Sequence, residues 1–399
     1  MATVLTALRE QHSGLSKSMM NNTKLLPFVF SGFSPMQPLA ASSRPISEIV
    51  ITDKLILALD CAGSCSVFSR DSSLQLLQLT SPLQRIRTIF LNRLQDSVVM
   101  VFTREEEQLS RLHCESYDCA TLAQGSLRAT ALFTEEDLSH PGFVEFDEVN
   151  GKVITRSGNT GVFKLWSLQN YSLCYSLDHQ DAEELRITRS LLLLILTPHA
   201  AQLPLKLLNI ETGRLLNAYV LDIIQNRAIE LVEQFHEFLL FKQVDECLHI
   251  LNLLTLSHVK VERFVTPQAF LFLPQQMLFI AIKGGVMDTW SFDGRQIASI
   301  TTTSPLLTSV PLQHPIKVAT CINQQVAILA SRPRMPLGAL DLNRALPADL
   351  LFYDIRSGHC VEEARSESPL PMVTTVHYDE DTHEVYTGHA SGLVMRWAN

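Results

Sequence analysis

Asn150-Gly-Lys-Val-Ile-Thr-Arg-Ser-Gly-Asn-Thr-Gly-Val-Phe-Lys-Leu-Trp-Ser-Leu-Gln-Asn-Tyr-Ser-Leu-Cys-Tyr175 decides how the chain is read. The pair Asn150-Gly151 is a turn that leads into a short apolar strand over 153–155. A polar, glycine-bearing loop follows, Ser157-Gly158-Asn159-Thr160-Gly161, and then an alternating strand over 162–168 with Trp166 near its end. A second polar turn opens a last strand over 173–177. Asn-Gly and Gly-rich pairs set between alternating apolar runs are hairpin signals.

The phrase recurs. Working outward, units are expected over about 47–79, 86–123, 143–177, 185–220, 229–264, 269–300, 316–358 and 373–399. In the second, the strands fall near 86–91, 98–102, 109–114 and 119–122, and a long polar connection over 125–141 follows. The seventh is split by 333–347, and the last lacks a fourth strand. Aligning the third strands brings Phe68, Trp166, Leu208, Leu251, Trp290, Tyr353 and Trp397 to one position. Gly63, Gly161, Gly285 and Gly392 precede it by five residues in four units, where a loop must turn with positive φ. Four-strand units about 40–50 residues apart are the signature of a β-propeller. No helical pattern of convincing length separates the strands, which excludes a parallel α/β fold. The expectation is an all-β propeller of four-stranded blades, eight favoured over seven, over 46–399. Ahead of it stands a tail over 1–45, with a linker over 34–45. A spare strand over 25–31 is expected to close the ring by pairing with 394–397.

Composition narrows the partners. The chain has 399 residues, 46% hydrophobic and 18% charged, enough for a large core and too apolar for disorder. A formal charge of −9 argues against nucleic acid and against an anionic membrane surface, both of which are met with Lys and Arg. The longest aliphatic run, 191–196, is far short of a membrane span. Cys61, Cys65, Cys114, Cys119, Cys174, Cys247, Cys321 and Cys360 are dispersed in apolar strand patterns and read as small buried thiols in a reducing compartment. The expected location is cytoplasmic or nuclear. The tail shares the bias of an organelle transit peptide, but its sparse arginine and lack of an amphipathic face weigh against one.

These residues resemble the WD40 repeat family. Ser157-Gly-Asn-Thr-Gly-Val-Phe-Lys-Leu-Trp166 and Thr387-Gly-His-Ala-Ser-Gly-Leu-Val-Met-Arg-Trp397 look like its Asp-Gly-Thr-Val-Lys-Val-Trp phrase. The departures are specific. Ser167, Ser291 and Ala398 follow the three Trp residues where the family has Asp, and only Tyr353-Asp354 keeps the acid. The Gly-His pair that opens a family repeat is missing, and Gly388-His389 lies in a different loop. The family's Asp-His-Ser/Thr-Trp network is therefore not carried over, and apolar packing is expected to replace it. More narrowly, the segments 142–153, 204–213 and 378–388 resemble a WD40-like family of plants and algae, a resemblance that implies no activity.

Chemistry-bearing clusters have bland readings. Cys61/Cys65 and His113-Cys114/Cys119 lack the four ligands of structural zinc, and His113 and Cys114 would point to opposite faces of a strand. His377, His383 and His389 around Asp379, Glu380 and Asp381 read as a solvated hairpin turn, since the acids lack the Gly and Glu of a calcium loop. No nucleophile elbow, Walker loop or dinucleotide fingerprint is present. The expectation is a noncatalytic scaffold or adaptor that binds other proteins, with no cofactor, metal or obligate small molecule. The alternatives are a ligand-binding or enzymatic propeller using its central channel, marked by convergent acids, His or Arg, and a substrate receptor in ubiquitin ligation. The working surface is expected where the longest irregular segments gather, over 103–108, 125–141, 197–204 and 331–347. Its partner-binding rim would hold Glu105, Glu106, Glu107, Glu135, Glu136 and Asp137 on one part, with Arg332, Arg334 and Arg344 on another.

Overall fold

The computed structural model describes residues 34–398, apart from 37, 81–83, 107–108, 179–180, 200, 274, 284–285, 302–316, 321–325, 332–348, 366–370 and 380. Seven antiparallel four-stranded sheets follow one another, with their strands within 46–79, 85–132, 143–177, 182–222, 229–261, 269–301 and 317–365. In each, the strands pair in chain order. First strands of neighbouring sheets approach one another, so they line the axis and the fourth strands lie outermost. The fold is an all-β propeller.

The four-stranded blades number seven rather than the eight favoured from the sequence. The last unit is built differently. Val373–Asp379, Glu384–His389 and Leu393–Ala398 supply three strands, and two short strands from far upstream, Ser34–Pro35 and Leu39–Ala40, lie along the third. Ser34 and Pro35 pair with Ala398 and Trp397, and Leu39 and Ala40 with Val394 and Leu393. An uncovered edge would present unpaired backbone groups, and Pro35 suits an outermost strand because it needs no donor. Gly392 makes the approach possible: a Cβ there would stand 1.9 Å from the Ser42 carbonyl oxygen. The covering residues come from the stretch read as a linker, and the strand expected over 25–31 lies outside the described residues.

Apolar packing runs from sheet to sheet. Each hydrophobic cluster joins two neighbours, because the middle strands bury both faces; Leu191–Leu196 is buried at every position. Trp397, Val385 and Met395 of the composite sheet pack on Leu350 and Phe352 of the seventh. On its other side Tyr386 and Val394 pack with Ile46, Ile56 and Phe68 of the first. The composite sheet thus stands between the seventh sheet and the first.

The large residue aligned from sequence has a structural cause. At Phe68, Trp166, Leu208, Trp290 and Tyr353 the pairing of third and fourth strands shifts register. Such a bulge bends the strand, and a bulky side chain fills the space that opens. The turn that follows is also shared. Asn209 Oδ1 accepts from the amides of Glu211 and Thr212, and Asp354 Oδ1 accepts from Arg356 and Ser357. Gly213 and Gly358 then close these turns at φ of 66° and 71°, a conformation glycine adopts without strain.

The second sheet departs from expectation. Residues 119–122 are not its outer strand. Cys119–Ala123 form one helical turn, started by Asp118, whose side chain accepts from the Thr121 amide. The outer strand is Ala129–Leu132, inside the stretch expected to be a long connection. Residues 103–106 are likewise no loop; they extend the second strand, Ser97–Glu106, which pairs with Leu109–Asp118.

Candidate functional site

The site begins with one residue out of pattern. After the third strand the chain buries a plug at the same place in each turn: Cys119, Leu168, Ile210, Leu253, Phe292 and Ile355 are all at most 6% exposed. The first sheet puts Arg70 there, 7% exposed. The backbone is equivalent: the amides of Arg70, Leu168, Ile210 and Leu253 each donate to a carbonyl of the neighbouring hairpin turn. A guanidinium in an apolar plug position requires partners, because an unpaired buried charge is costly.

The composite sheet supplies them. Arg70 Nη2 donates to Asp379 Oδ2 at 2.5 Å, Thr382 Oγ1 at 2.5 Å and Glu384 Oε2 at 2.9 Å, while Nη1 donates to the Thr52 carbonyl at 3.1 Å. Glu384 also accepts from the Tyr386 hydroxyl at 2.6 Å and pairs with Arg396. Burial pushes both carboxyls up. For Asp379 the hydrogen bonds from Thr382 and Arg70 outweigh it, and for Glu384 those from Tyr386, Arg396 and Arg70, so both lie below the usual range. Burial, with the bond to Glu384, raises the Tyr386 hydroxyl. These groups hold fixed charge and tie the first sheet to the last.

Above this floor lies a cleft of about 710 Å³. Its walls are hairpin turns from three sheets: Thr52 and Asp53, Arg70 and Asp71, Arg93 and Asp96, and Asp379, Asp381 and Thr382. These turns join first to second and third to fourth strands, so they share one face of the propeller. Six acids and three arginines line the cleft, leaving an excess of three negative charges. Asp53, Asp71, Asp96 and Asp381 are exposed on its rim. Arg93 answers Asp381 only at 3.7 Å, an exposed pair of small worth.

Of the rim expected from sequence, the described residues hold Glu105, Glu106, Glu135, Glu136 and Asp137. Glu105 and Glu106 end a strand, opposite Ser110 and Leu109. Glu135 is exposed, but Glu136 is buried at 5% and bonded to Lys164 Nζ at 2.6 Å. Asp137 is half-buried and accepts from the Ser139 amide at 3.1 Å. Lys164, on the third strand of the next sheet, turns Glu136 inward, which no spacing in the sequence signals. Glu107, Arg332, Arg334 and Arg344 lie outside the described residues.

The channel holds a second charged group. Glu145, Glu184 with Arg186, and Glu233 stand on the first strands of the third, fourth and fifth sheets. Arg186 Nη2 lies 2.6 Å from Glu184 and 3.6 Å from Glu233. Burial raises Glu145 and Glu233, only partly offset by Arg186. The sequence reading found no such convergence, because each acid sits singly on a separate strand.

Two other readings change. A hydrogen-bond chain does exist in the last sheet: Trp397 Nε1 donates to Thr387 Oγ1 at 2.9 Å, Thr387 meets His389 Nε2 at 2.9 Å, and His389 Nδ1 meets the Pro371 carbonyl at 2.7 Å. A backbone carbonyl ends it in place of a carboxylate. Trp166 repeats the first link with Thr155. The thiols also divide: Cys65, Cys114 and Cys119 are buried, whereas Cys61, Cys174 and Cys360 are exposed. Burial pushes the Cys114 thiol up to about 12. Cys321 lies outside the described residues. Among the described residues no helix is long and apolar enough to cross a membrane.

Solved structures place the architecture among β-propeller-like folds. The chain is similar to the computationally designed Ika8 protein, at a TM-score of 0.56 and 14% identity over 92% of this chain and 100% of that one. It is similar also to BamB from Moraxella catarrhalis, at a TM-score of 0.52 and 12% identity over the same shares. At such identities the likeness is one of fold. None of the curated proteins matches the sequence. The family described as Domain of unknown function (DUF7899) matches residues 30–330. The chain belongs to that family.

Proposed function

We propose that this protein is a noncatalytic, WD40-like propeller that serves as an interaction platform, and that it docks a basic segment of a partner protein in the acidic cleft. The observation that carries the reading is the rim of Asp53, Asp71, Asp96 and Asp381 over a floor already neutralised by its own ion pairs. Asp379 and Glu384 are held as carboxylates, so neither is poised for proton transfer near neutral pH. The exposed aspartates keep free lone pairs for lysine or arginine, and their surplus charge sets orientation and on-rate. On this reading the seam between the composite sheet and the first sheet creates the cleft.

The test compares two variants in quantitative capture. Asp53→Lys/Asp71→Lys/Asp381→Lys reverses the rim. Glu105→Lys/Glu106→Lys alters the opposite face, the one favoured from sequence. Loss of the captured partner with the first and retention with the second supports the cleft; the reverse pattern moves the interface to the other face.

A second reading has its own observation. Glu145, Glu184, Arg186 and Glu233 are the convergent set that marks a ligand-binding channel. A small cationic ligand whose affinity collapses in Glu145→Gln/Glu233→Gln, with rim variants unaffected, would favour it.

A further inference from the structure

The fifth sheet carries a donor set that the cleft does not use. The turn after Phe238–Gln243 leads through Glu246 and Cys247 into the strand Leu248–Asn252. Cys247 and His249 are two residues apart, so they share a face of that strand. Cys247 Sγ lies 3.4 Å from His249 Nε2. With Zn–S about 2.3 Å and Zn–N about 2.0–2.1 Å, a tetrahedral ion would hold sulfur and nitrogen about 3.5 Å apart. A donor atom of each of Glu246, Cys247 and His249 lies within 4.8 Å of the others, and all three residues are half-buried.

The other imidazole nitrogen is already engaged. His249 Nδ1 lies 2.9 Å from His258 Nε2, and the two rings stack with centroids 4.9 Å apart. His258 opens the strand His258–Val261, which pairs with Leu248–Asn252. A proton on Nδ1 directed at His258 leaves the Nε2 lone pair facing Cys247, the tautomer a metal requires. Metal-bound histidines nearly always have such an outer partner. Arg227 takes Glu246 Oε1 and leaves Oε2 free to ligate.

We propose that Glu246, Cys247 and His249 form a three-ligand site for a zinc-like divalent cation, with His258 orienting His249. One carboxylate, one thiolate and one imidazole suit a borderline ion rather than calcium or magnesium, which take oxygen donors. On binding, the Cys247 S–H bond breaks, the S–metal bond forms and the proton goes to solvent. A fourth position stays open. The site lies on the turn between second and third strands, at the face opposite the cleft, and does not depend on the docking reading.

Cobalt(II) titrated into the metal-free full-length chain tests this. One equivalent should bind with thiolate-to-cobalt charge-transfer absorption, and zinc should displace it one for one. Cys247→Ser should abolish the band, and His258→Gln should weaken binding about 10–100-fold with the band kept. Cys174→Ser, an exposed thiol elsewhere, should change nothing. Zinc should also slow iodoacetamide labelling of Cys247 in the unmodified chain but not of Cys174, a readout that does not depend on a variant folding. No band, a band that survives Cys247→Ser, or equal labelling rates with and without zinc overturns the proposal.

Discussion

Replacing Arg70 by Leu restores the apolar plug of the other sheets and strands the carboxylates that the arginine held. The side chains of Asp379 and Glu384 are 11% and 9% exposed. Removing one partner of a buried ion pair costs about 3–5 kcal/mol. The lower end applies here, because Thr382 still bonds Asp379, while Tyr386 and Arg396 still bond Glu384. Over 399 residues the unfolding entropy is about 0.8 kcal/mol/K, from about 2.1 cal/mol/K per residue, so a loss of about 3 kcal/mol lowers Tm by about 4 °C. Differential scanning calorimetry at neutral pH reads this. Arg70→Leu/Asp379→Asn/Glu384→Gln should recover most of the loss, since neutral amides no longer need the guanidinium. An unchanged Tm in Arg70→Leu, or a triple variant less stable than the single one, would refute the reasoning.

Further outcomes are expected. The depressed pKa values of Asp379 and Glu384 mean that their contribution is present above the ordinary carboxylate range, about 3.9–4.3, and is lost as pH falls through their folded values. The Tm gap between the unmodified chain and Arg70→Leu should therefore close in strong acid; a gap constant from pH 7 to pH 2 counts against the network. Burial also lowers His377 and His389, so the unfolded chain takes up protons first, near pH 6.5, and stability should drop below that value less steeply in His389→Gln. Trp397 is hydrogen-bonded, whereas Trp290 Nε1 has no partner among the described residues. Trp397→Phe should cost about 1 kcal/mol more than Trp290→Phe, and equal costs would deny the bond its role. Truncation to residue 41 removes Leu39 and Ala41 from the core, 6% and 4% exposed, and uncovers the edge of Leu393–Ala398. Burial of a leucine alone is worth about 1.5–3 kcal/mol, so Tm should fall at least about 2–4 °C further than on truncation to residue 33.

The propeller was legible because its signals are local. Hairpin turns, alternation and the large residue of each third strand survive in a single repeat, and register shifts at Trp166 and Trp290 explain why that residue recurs. What depends on distant pairing was not legible. Ser34–Pro35 looked like linker, since only the edge of Leu393–Ala398 makes it a strand. Cys119–Ala123 is too short for helical periodicity, and its cap at Asp118 is one residue. The burial of Glu136 was not legible for the same reason: its partner Lys164 lies 28 residues on. Arg70 could have been found. Setting Ser69-Arg70 beside Ser167-Leu168, Asn209-Ile210, Asn252-Leu253 and Asp354-Ile355 exposes a charge where those four turns have an aliphatic residue.

A selection of random peptides displayed on phage against the immobilised chain tests the docking claim most directly, because it needs no known partner. Enriched peptides should be rich in Lys and Arg, should weaken as salt is raised, and should lose binding to Asp53→Asn/Asp71→Asn/Asp96→Asn/Asp381→Asn while that variant keeps its circular dichroism. Enrichment of uncharged or acidic peptides, or equal binding to the unmodified chain and the rim variant, would contradict an acidic cleft built to hold a basic segment.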